Sequence, residues 1–379
     1  MLDISPFPIS ISEAALQTLK VRLKDVRWPD AETVPDWSQG VPLGQMKSLV
    51  EYWRDHYDWR RCEAMLNDWG LLETRIDGID IRFLHIRSPH PEAMPLLLTH
   101  GWPGSIIEFH KVIGPLTEPE RFGGDKRDAF HLVIPCLPGY GFSGKPVTPG
   151  WQCERIASAW NELMDRLGYG HYVAQGGDWG SIVTVALARM APASLRAVHL
   201  NQVLVIPFDT SVTPEDEDHK AALEALVRFT SAESGYAAIQ STRPQTLGYG
   251  LADSPVGQAA WIYEKMRAWS DCAGDPLSVF SYDELLDNIM LYWLTNSGAS
   301  SARLYWETSA AAYGPSKIEI PIGCSIFPKE NLLATRRLAE KYYSNIIHWN
   351  ELPRGGHFPA FEQPDLFTQE IRSCFSSVR

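Results

Sequence analysis

The chain has 379 residues, of which 45% are hydrophobic, and its formal net charge is −12 at pH 7. This length is enough for one large domain or two ordinary ones with a substantial core. Because nucleic acids and anionic membranes attract clustered Lys and Arg, the acidic balance argues against both as partners.

Six cysteines are scattered along the chain without a CxxC pair, which argues against a zinc site and against a disulfide framework. We expect them to be reduced core residues, and we expect neither a metal nor a cofactor. The N-terminus lacks a basic segment followed by an apolar run, and no stretch of about 18 apolar residues occurs. The sequence therefore predicts a soluble, cytoplasmic protein without signal peptide or membrane anchor.

Residues 1–77 show helical periodicity in two stretches, SEAALQTLKVRLKDVRW and LGQMKSLVEYWRDHYDWRRCEAMLNDW, and we predict a helical N-terminal segment there. Between residues 78 and 205, short strand-like runs alternate with helical runs. The strand-like runs are IDIRFLHIRS, MPLLLTHG, AFHLVIPCLPG, HYVAQGGD and LRAVHLNQV. Such alternation is typical of an α/β protein with a mostly parallel sheet.

Strand signals stop between residues 206 and 315, where helical stretches such as GQAAWIYEKMRAWS and YDELLDNIMLYWLTNSG follow one another. This interruption predicts an inserted helical cap. Between residues 316 and 379 the strand-like runs IPIGCSIFP and NIIHWNEL resume the sheet, and FEQPDLFTQEIRSCFSSV predicts a closing helix. We therefore predict four parts: the N-terminal segment at 1–77, two core parts at 78–205 and 316–379, and the cap at 206–315.

The run YVAQGGDWGSIVTVALARMAP combines a strand, a tight turn and a helix, with Asp178 at the turn. Gly176, Asp178 and Gly180 form a G-x-nucleophile-x-G pattern, in which small neighbours let the nucleophile occupy a strained turn. An ordinary glycine-rich turn is the alternative, because short glycine patterns recur by chance. Most turns of this pattern carry Ser, so a carboxylate at this position needs a chemical reason.

A second motif, LLLTHGWPGS at residues 96–105, is an apolar strand that ends in a turn. In sheets of this kind, the turn supplies a backbone N–H group to an oxyanion hole. We expect Trp102 to provide one N–H group and Trp179, which directly follows Asp178, to provide the other.

The remaining groups follow in the order nucleophile, acid, histidine. His357 lies in the glycine-rich run LPRGGHFPAFEQP, after a strand-like run and before the last helix. Glu330 follows IPIGCSIFP and is the candidate to bind the Nδ1–H group of His357, with a solvated loop glutamate as the alternative. His110, His131 and His171 lack such a context, and we expect structural roles for them.

Taken together, these motifs resemble the α/β-hydrolase epoxide hydrolases of the microsomal and juvenile-hormone type, including their soluble fungal and bacterial relatives. The resemblance covers nearly the whole chain and rests on ISEAALQTLKVRLKDVRWPD, THGWPGS, PCLPGYGFSGKP, GGDWGS, ESGYAAIQSTRPQTLGYGLADSPVGQAAWIYEKM, LYWLTNSGASSARLYWE, FPKE and PRGGHFPAFEQP. It implies an α/β-hydrolase fold with a helical cap and a helical N-terminal extension. It also implies an enzyme that converts an epoxide to a vicinal diol. Because the chain begins directly at the soluble segment of that family, we expect no membrane location.

The resemblance further implies the roles of individual residues. Asp178 would be the nucleophile, His357 the base and Glu330 its orienting acid. Two cap tyrosines, Tyr236 in ESGYAAIQ and Tyr305 in ARLYWE, would act on the epoxide oxygen. Without the resemblance, either tyrosine would be interpreted as an ordinary structural residue.

The chemistry of an epoxide explains an aspartate at this turn. Its electrophile is an sp³ carbon, so serine would form an ether that cannot be hydrolysed, whereas a carboxylate forms an ester with its own acyl carbon. A carboxylate with an ordinary pKa of about 3.9 is ionised near neutral pH and needs no base. The departing oxygen needs a proton, which phenols with a pKa of about 10 can give. Water activated by His357 would then attack the ester, and the two tryptophan N–H groups would hold the oxyanion.

Three other functions share part of this pattern. A haloalkane or haloacid dehalogenase also uses an aspartate nucleophile, but a halide leaving group needs no proton and so no tyrosine pair. A binding protein that has lost turnover would have no need of Glu330. A biosynthetic enzyme in which a substrate hydroxyl opens the epoxide stays open as an alternative. We expect a small apolar epoxide and water as the substrates, and a homodimer, while the natural epoxide cannot be read from the sequence.

Overall fold

The structure, a computed structural model, describes residues 4–205, 213–308, 312 and 314–379. Within these residues the strands are β1 (Ser5–Pro6), β2 (Leu71–Ile76), β3 (Ile79–Ile86), β4 (Met94–Thr99), β5 (Phe130–Pro135), β6 (Tyr172–Gly176), β7 (Leu195–Leu200), β8 (Ile322–Ile326) and β9 (Ile346–Glu351). They form one sheet with the order β1-β2-β3-β5-β4-β6-β7-β8-β9.

The α-helices of the same residues are α1 (Glu13–Lys24), α2 (Leu43–Asp55), α3 (Trp59–Trp69), α4 (Ile113–Thr117), α5 (Cys153–Arg166), α6 (Trp179–Met190), α7 (Glu217–Arg228), α8 (Gly235–Thr242), α9 (Pro244–Asp253), α10 (Pro255–Ala268), α11 (Tyr282–Leu294), α12 (Gly298–Glu307), α13 (Arg336–Ala339), α14 (Pro359–Glu362) and α15 (Pro364–Phe375). None of them combines the length and the apolar character needed to cross a membrane.

The sheet is mostly parallel, as predicted. Strands β1, β2 and β3 pair antiparallel with their neighbours, whereas every pair from β5 through β4 to β9 is parallel. Because parallel strands end at the same edge, the turns that follow β4 and β6 lie side by side. All six cysteines are buried and free, which confirms their expected place in the core.

The N-terminal segment differs from the prediction in two respects. It contributes β1 and β2 to the sheet, because Leu71 and Ile76 are buried although charged residues stand between them. The long helical stretch at 43–69 is two helices. The Asp58 side chain accepts the N–H of Arg60 at 2.9 Å and thereby caps the start of α3.

The predicted cap is mainly helical and contains no strand in its described residues, where α7 to α12 follow one another. Residues 206–212, 309–311 and 313 of the predicted cap lie outside the described residues. A five-residue π-helix, Phe229–Glu233, joins α7 to α8. Proline at the first position of α9 and of α10 separates these helices from the ones before them. The division into N-terminal segment, core and cap is our proposal for the domain organisation.

The N-terminal segment contacts α11 through an ion pair whose carboxylate is buried. The side chain of Asp287 is only 3% exposed, and its carboxylate accepts the hydroxyl of Tyr57 at 2.8 Å and lies 2.6 Å from Arg61. The next residue, Asn288, donates its side-chain amide to the carbonyl of Pro103 at 2.8 Å. One turn further, the hydroxyl of Tyr292 donates to the carbonyl of Gly104. Helix α11 thus links the N-terminal segment to the turn after β4.

We predict that Tyr57→Phe lowers the free energy of unfolding by about 1–3 kcal/mol, because the buried carboxylate of Asp287 loses a hydrogen bond. Denaturation in urea measures this loss. Tyr52→Phe is the matched control, since Tyr52 binds Asp283, whose side chain is 36% exposed. The control should lose less than about 1 kcal/mol. Equal losses in the two variants would contradict a special role for Asp287.

Candidate active site

Asp178 occupies the turn between β6 and α6 with φ 51° and ψ −128°. A positive φ is costly for any residue with a side chain, so the surrounding packing must impose it. A Cβ atom on Gly176 would collide with the carbonyl of Gly180, and one on Gly180 would collide with the carbonyl of Thr99 at the end of β4. The turn therefore has the geometry of a nucleophile elbow and excludes larger neighbours.

The turn at residues 100–105, which we call the oxyanion turn, approaches Asp178 from β4. The backbone N–H of Trp102 donates to Oδ1 of Asp178 at 2.7 Å. A Cβ atom on Gly101 would overlap the Asp178 side chain, so the close approach requires glycine. Trp179 is the first residue of α6, and N–H groups at a helix N-terminus point out of the helix toward the turn. A role for the Trp179 N–H stays a prediction.

The structure brings Asp178, His357 and Glu330 together. Nδ1 of His357 lies 2.9 Å and 3.1 Å from the two carboxylate oxygens of Glu330, and Nε2 lies 3.3 Å from Oδ2 of Asp178. The side chains of His357 and Glu330 are 2% and 4% exposed. Glu330 also accepts the backbone N–H of Asn331 at 2.7 Å. This arrangement excludes the interpretation of Glu330 as a solvated loop residue.

The charges around His357 determine its protonation. Burial by itself would lower the pKa of His357, but the carboxylates of Glu330 and Asp178 outweigh burial and hold that pKa well above its usual value. The two carboxylates therefore favour the protonated form of His357. Loss of the charge on Asp178 would lower the pKa of His357 and so increase the neutral fraction that can accept a proton.

Glu362 holds the loop of His357 and was not identified from the sequence. Its carboxylate accepts the backbone N–H groups of Gly356 at 3.1 Å, Phe358 at 2.9 Å and Asp271 at 2.7 Å. Burial raises its pKa to about 7. Glu362 follows His357 by five positions in the sequence. Only the fold shows that its carboxylate accepts the N–H groups of the residues on both sides of the histidine.

The two predicted cap tyrosines meet above Asp178. Tyr236 and Tyr305 are buried, with ring centroids 5.7 Å apart. Tyr236 stacks on Trp102 at 4.7 Å, and Tyr305 contacts Trp179 edge-on at 4.6 Å. Burial and then the charge of Asp178 raise the pKa of Tyr236 well above its usual value, so this phenol remains protonated. Both hydroxyls thus belong to rings that pack on the tryptophans beside the nucleophile.

Two cavities adjoin Asp178. The first, which we call the cap cavity, has a volume of about 330 Å³ and is lined by Trp179, Tyr236 and Tyr305. The second, the core cavity, has a volume of about 10 Å³ and is lined by His357 and Glu108. Among the described residues, Asp178 is the only one that lines both. A larger groove of about 820 Å³ lies between the N-terminal segment and α10, but it contains none of these groups.

The three histidines expected to be structural lie elsewhere. Nε2 of His110 is 3.3 Å from Glu284, Nδ1 of His131 accepts the N–H of Ser88, and Nε2 of His171 lies 3.0 Å from Arg196. Each has a partner outside the site, in agreement with that expectation.

Comparison with known proteins gives the same family over the whole chain. A family model described as "Epoxide hydrolase N terminus" matches residues 4–109, and one described as "alpha/beta hydrolase fold" matches residues 94–230. A Stigmatella aurantiaca protein, provisionally named an epoxide hydrolase, is 56% identical over 376 residues, covering 99% of this chain and 86% of that protein. Juvenile hormone epoxide hydrolase 1 of Ctenocephalides felis is 36% identical over 406 residues, covering 100% and 86%.

Solved structures agree with the sequence relatives. The structure of Aspergillus niger epoxide hydrolase matches with a TM-score of 0.87 and 30% sequence identity, covering 100% of this chain and 97% of the other. The resemblance proposed from the sequence motifs and the predicted fold are both confirmed. The chain therefore belongs to the epoxide hydrolase family, with the α/β-hydrolase fold.

Proposed function

We propose that this enzyme opens a small apolar epoxide in two steps, through a covalent ester on Asp178, and releases a vicinal diol. The observation that carries the proposal is the position of Asp178 between the cap cavity with its tyrosine pair and the core cavity with His357. Substrate and water can therefore reach the same carboxyl group from two sides. The domain division, a cytoplasmic location, a homodimer and independence of a cofactor stay predictions.

In the first step, a carboxylate oxygen of Asp178 attacks a ring carbon of the epoxide in the cap cavity. The carbon–oxygen bond of the ring breaks, and the departing oxygen takes a proton from Tyr236 or Tyr305. The charge of Asp178 helps to raise the pKa of Tyr236. Because ester formation neutralises Asp178, this contribution falls as the ring opens, and Tyr236 becomes a stronger acid when the proton is needed.

In the second step, His357 takes a proton from water, whose oxygen attacks the acyl carbon of the ester. The Trp102 N–H already contacts an oxygen of this carboxyl group at 2.7 Å, so it is placed to hold the oxyanion, with Trp179 as the second donor. The oxyanion collapses, the ester bond breaks, and the departing alkoxide takes the proton from His357. The released carboxyl group of Asp178 gives up its proton to restore the tyrosine that protonated the epoxide oxygen, so that aspartate is regenerated and the diol leaves.

The tyrosine pair favours this reaction over dehalogenation. A halide leaves without a proton, whereas an epoxide oxygen leaves as a strong base. Both hydroxyls lie on rings that line the cap cavity together with Asp178. Leu204, Phe229 and Leu332 supply apolar lining, which suits an epoxide with aliphatic or aryl substituents.

The covalent step is tested with His357→Ala. Ester formation uses no base, so this variant should accumulate an adduct with the mass of enzyme plus epoxide, detectable by intact-mass spectrometry after incubation with styrene oxide. Asp178→Ala is the control and should show no adduct. An unmodified His357→Ala enzyme, under conditions where the wild type forms diol, would exclude the ester mechanism.

The tyrosines should act on ester formation. We predict that Tyr236→Phe and Tyr305→Phe each slow this step by about 10- to 1000-fold, and that the double variant is nearly inactive, because one departing oxygen loses one or both donors. Rapid-quench measurement of the adduct gives the rate. Wild-type rates in both single variants would show that the cap tyrosines do not take part in ester formation.

The pH dependence should differ between the two steps. In the ester, Asp178 is neutral, so the pKa of His357 lies below its value in the free enzyme. Ester hydrolysis needs neutral His357, and its rate constant should therefore rise with pH and level off above that pKa. Single-turnover hydrolysis followed from about pH 5 to about pH 9 measures this. In Glu330→Gln the plateau should begin at lower pH and be slower, and an unchanged profile would contradict the role of Glu330.

A further inference from the structure

The loop that carries His357 packs against the turn that follows α10 of the cap. We call residues 269–271 the cap turn and residues 355–358 the histidine loop. The backbone N–H of His357 itself donates to the carbonyl of Trp269 at 2.9 Å. The histidine therefore contacts the cap through its own backbone, although the two segments are far apart in the sequence.

Asp271 makes two further hydrogen bonds between these segments. Its Oδ2 atom accepts the backbone N–H of Gly355 at 2.9 Å, and its own backbone N–H donates to Oε2 of Glu362 at 2.7 Å. The same oxygen of Glu362 accepts the N–H of Gly356 at 3.1 Å. Asp271 thus binds the histidine loop directly through its side chain and indirectly through Glu362.

The contact between the two segments requires glycine directly before the histidine. A Cβ atom on Gly356 would lie 2.5 Å from the carbonyl oxygen of Trp269 and 2.9 Å from the backbone nitrogen of Asp271. The φ of Gly356 is not positive, so conformational freedom is not the reason for a glycine here. Any larger residue would push the cap turn away from the histidine loop.

The indole ring of Trp269 extends this contact to the side chain of the histidine. It is buried, and its ring centroid lies 4.9 Å from that of His357 and 5.2 Å from that of Tyr236, edge-on in both cases. A displacement of the cap turn would therefore move the surface against which the imidazole packs.

Glu330 does not by itself fix the position of the imidazole. It binds Nδ1 of His357 and so determines the rotation of the ring. The position of the histidine backbone depends on the two preceding glycines, which have no side chains to hold them. Their N–H groups are bound by Asp271 and Glu362. The backbone of the histidine is therefore placed by different groups from those that orient its ring.

We propose that Asp271 is a positioning residue for His357, and that the cap turn thereby holds the base in place for hydrolysis of the ester. The inference rests on the two-step mechanism proposed above. Ester formation uses no base, whereas hydrolysis requires His357 to take a proton from water and return it to the departing alkoxide. A displacement of about 1 Å in a reacting group can slow a reaction by about 100-fold.

The test compares Asp271→Leu with Asp271→Asn, which have similar size but differ in the acceptor oxygen. With styrene oxide in single-turnover experiments, we expect Asp271→Leu to form the ester within about 3-fold of the wild-type rate and to hydrolyse it about 10- to 100-fold more slowly. Because the ester then accumulates, kcat and KM should fall together. Asp271→Asn keeps an oxygen for the N–H of Gly355 and should hydrolyse the ester within about 3-fold of the wild-type rate.

Asp275→Leu is the matched control. The carboxylate of Asp275 accepts the backbone N–H of Leu277 at 3.0 Å, so the same kind of hydrogen bond is lost at a turn that lines neither cavity. Both half-reactions should run at wild-type rates in this variant.

Wild-type hydrolysis in Asp271→Leu would overturn the inference. An equal loss of ester formation and hydrolysis would also overturn it, since that pattern indicates a distorted cap and not a displaced base. Hydrolysis as slow in Asp271→Asn as in Asp271→Leu would contradict the role of the hydrogen bond to Gly355. If Asp271→Leu does not fold, Asp271→Ala provides the same comparison.

The histidine loop gives an independent variant. Gly356→Ala adds the Cβ atom that meets the carbonyl of Trp269, and it should show the same selective loss of hydrolysis. Gly170→Ala is its control, because a Cβ atom there meets nothing within 4 Å, and it should behave as the wild type. Wild-type hydrolysis in Gly356→Ala would contradict the proposed contact. Absence of any adduct in His357→Ala overturns the two-step mechanism whatever Asp271 does, so the two failures are distinguishable.

Discussion

A charged carboxylate held in a left-handed turn is the constraint on which the rest of this structure depends. Asp178 adopts φ 51° only because β6, α6 and the end of β4 leave room for nothing larger than glycine at positions 176 and 180. The same close packing brings the N–H of Trp102 to the carboxylate. The strain of the turn thereby places the carboxylate of Asp178 beside a backbone donor, a histidine and two cavities at once.

The charge of Asp178 also affects the pKa values of the groups around it. It contributes to raised pKa values of His357, Tyr236 and Glu108, three residues that lie on different elements. In the proposed mechanism, ester formation removes this charge, so all three contributions vanish together. The pKa of His357 would then fall, so that a larger fraction is neutral and able to accept a proton, and Tyr236 would be a stronger acid.

What the sequence could predict was local. The elbow, the oxyanion turn and the loop of His357 are contiguous motifs, and the alternation of strand and helix patterns indicated the parallel sheet. Strand β2 escaped prediction because Glu73 and Arg75 interrupt its apolar residues. The hydrogen bonds of Glu362, the position of Glu108 behind Gly104 and the link from Tyr57 to Asp287 depend on tertiary packing. Some of these residues lie within the sequence motifs or close to them, but the pattern of residue types does not show which other residues they contact.

The separation of the two cavities has a consequence for how this enzyme can vary. The cap cavity is lined largely by the cap and by Leu204 and Leu332, whereas the core cavity is lined by the oxyanion turn, β6 and the loop of His357. Under the proposed mechanism, changes of side chain in the cap would alter which epoxide binds without changing the residues that line the core cavity. Helix α11 connects the two regions, because it packs on the N-terminal segment and also binds Pro103 and Gly104. Through α11, the N-terminal segment thus supports the turn that follows β4.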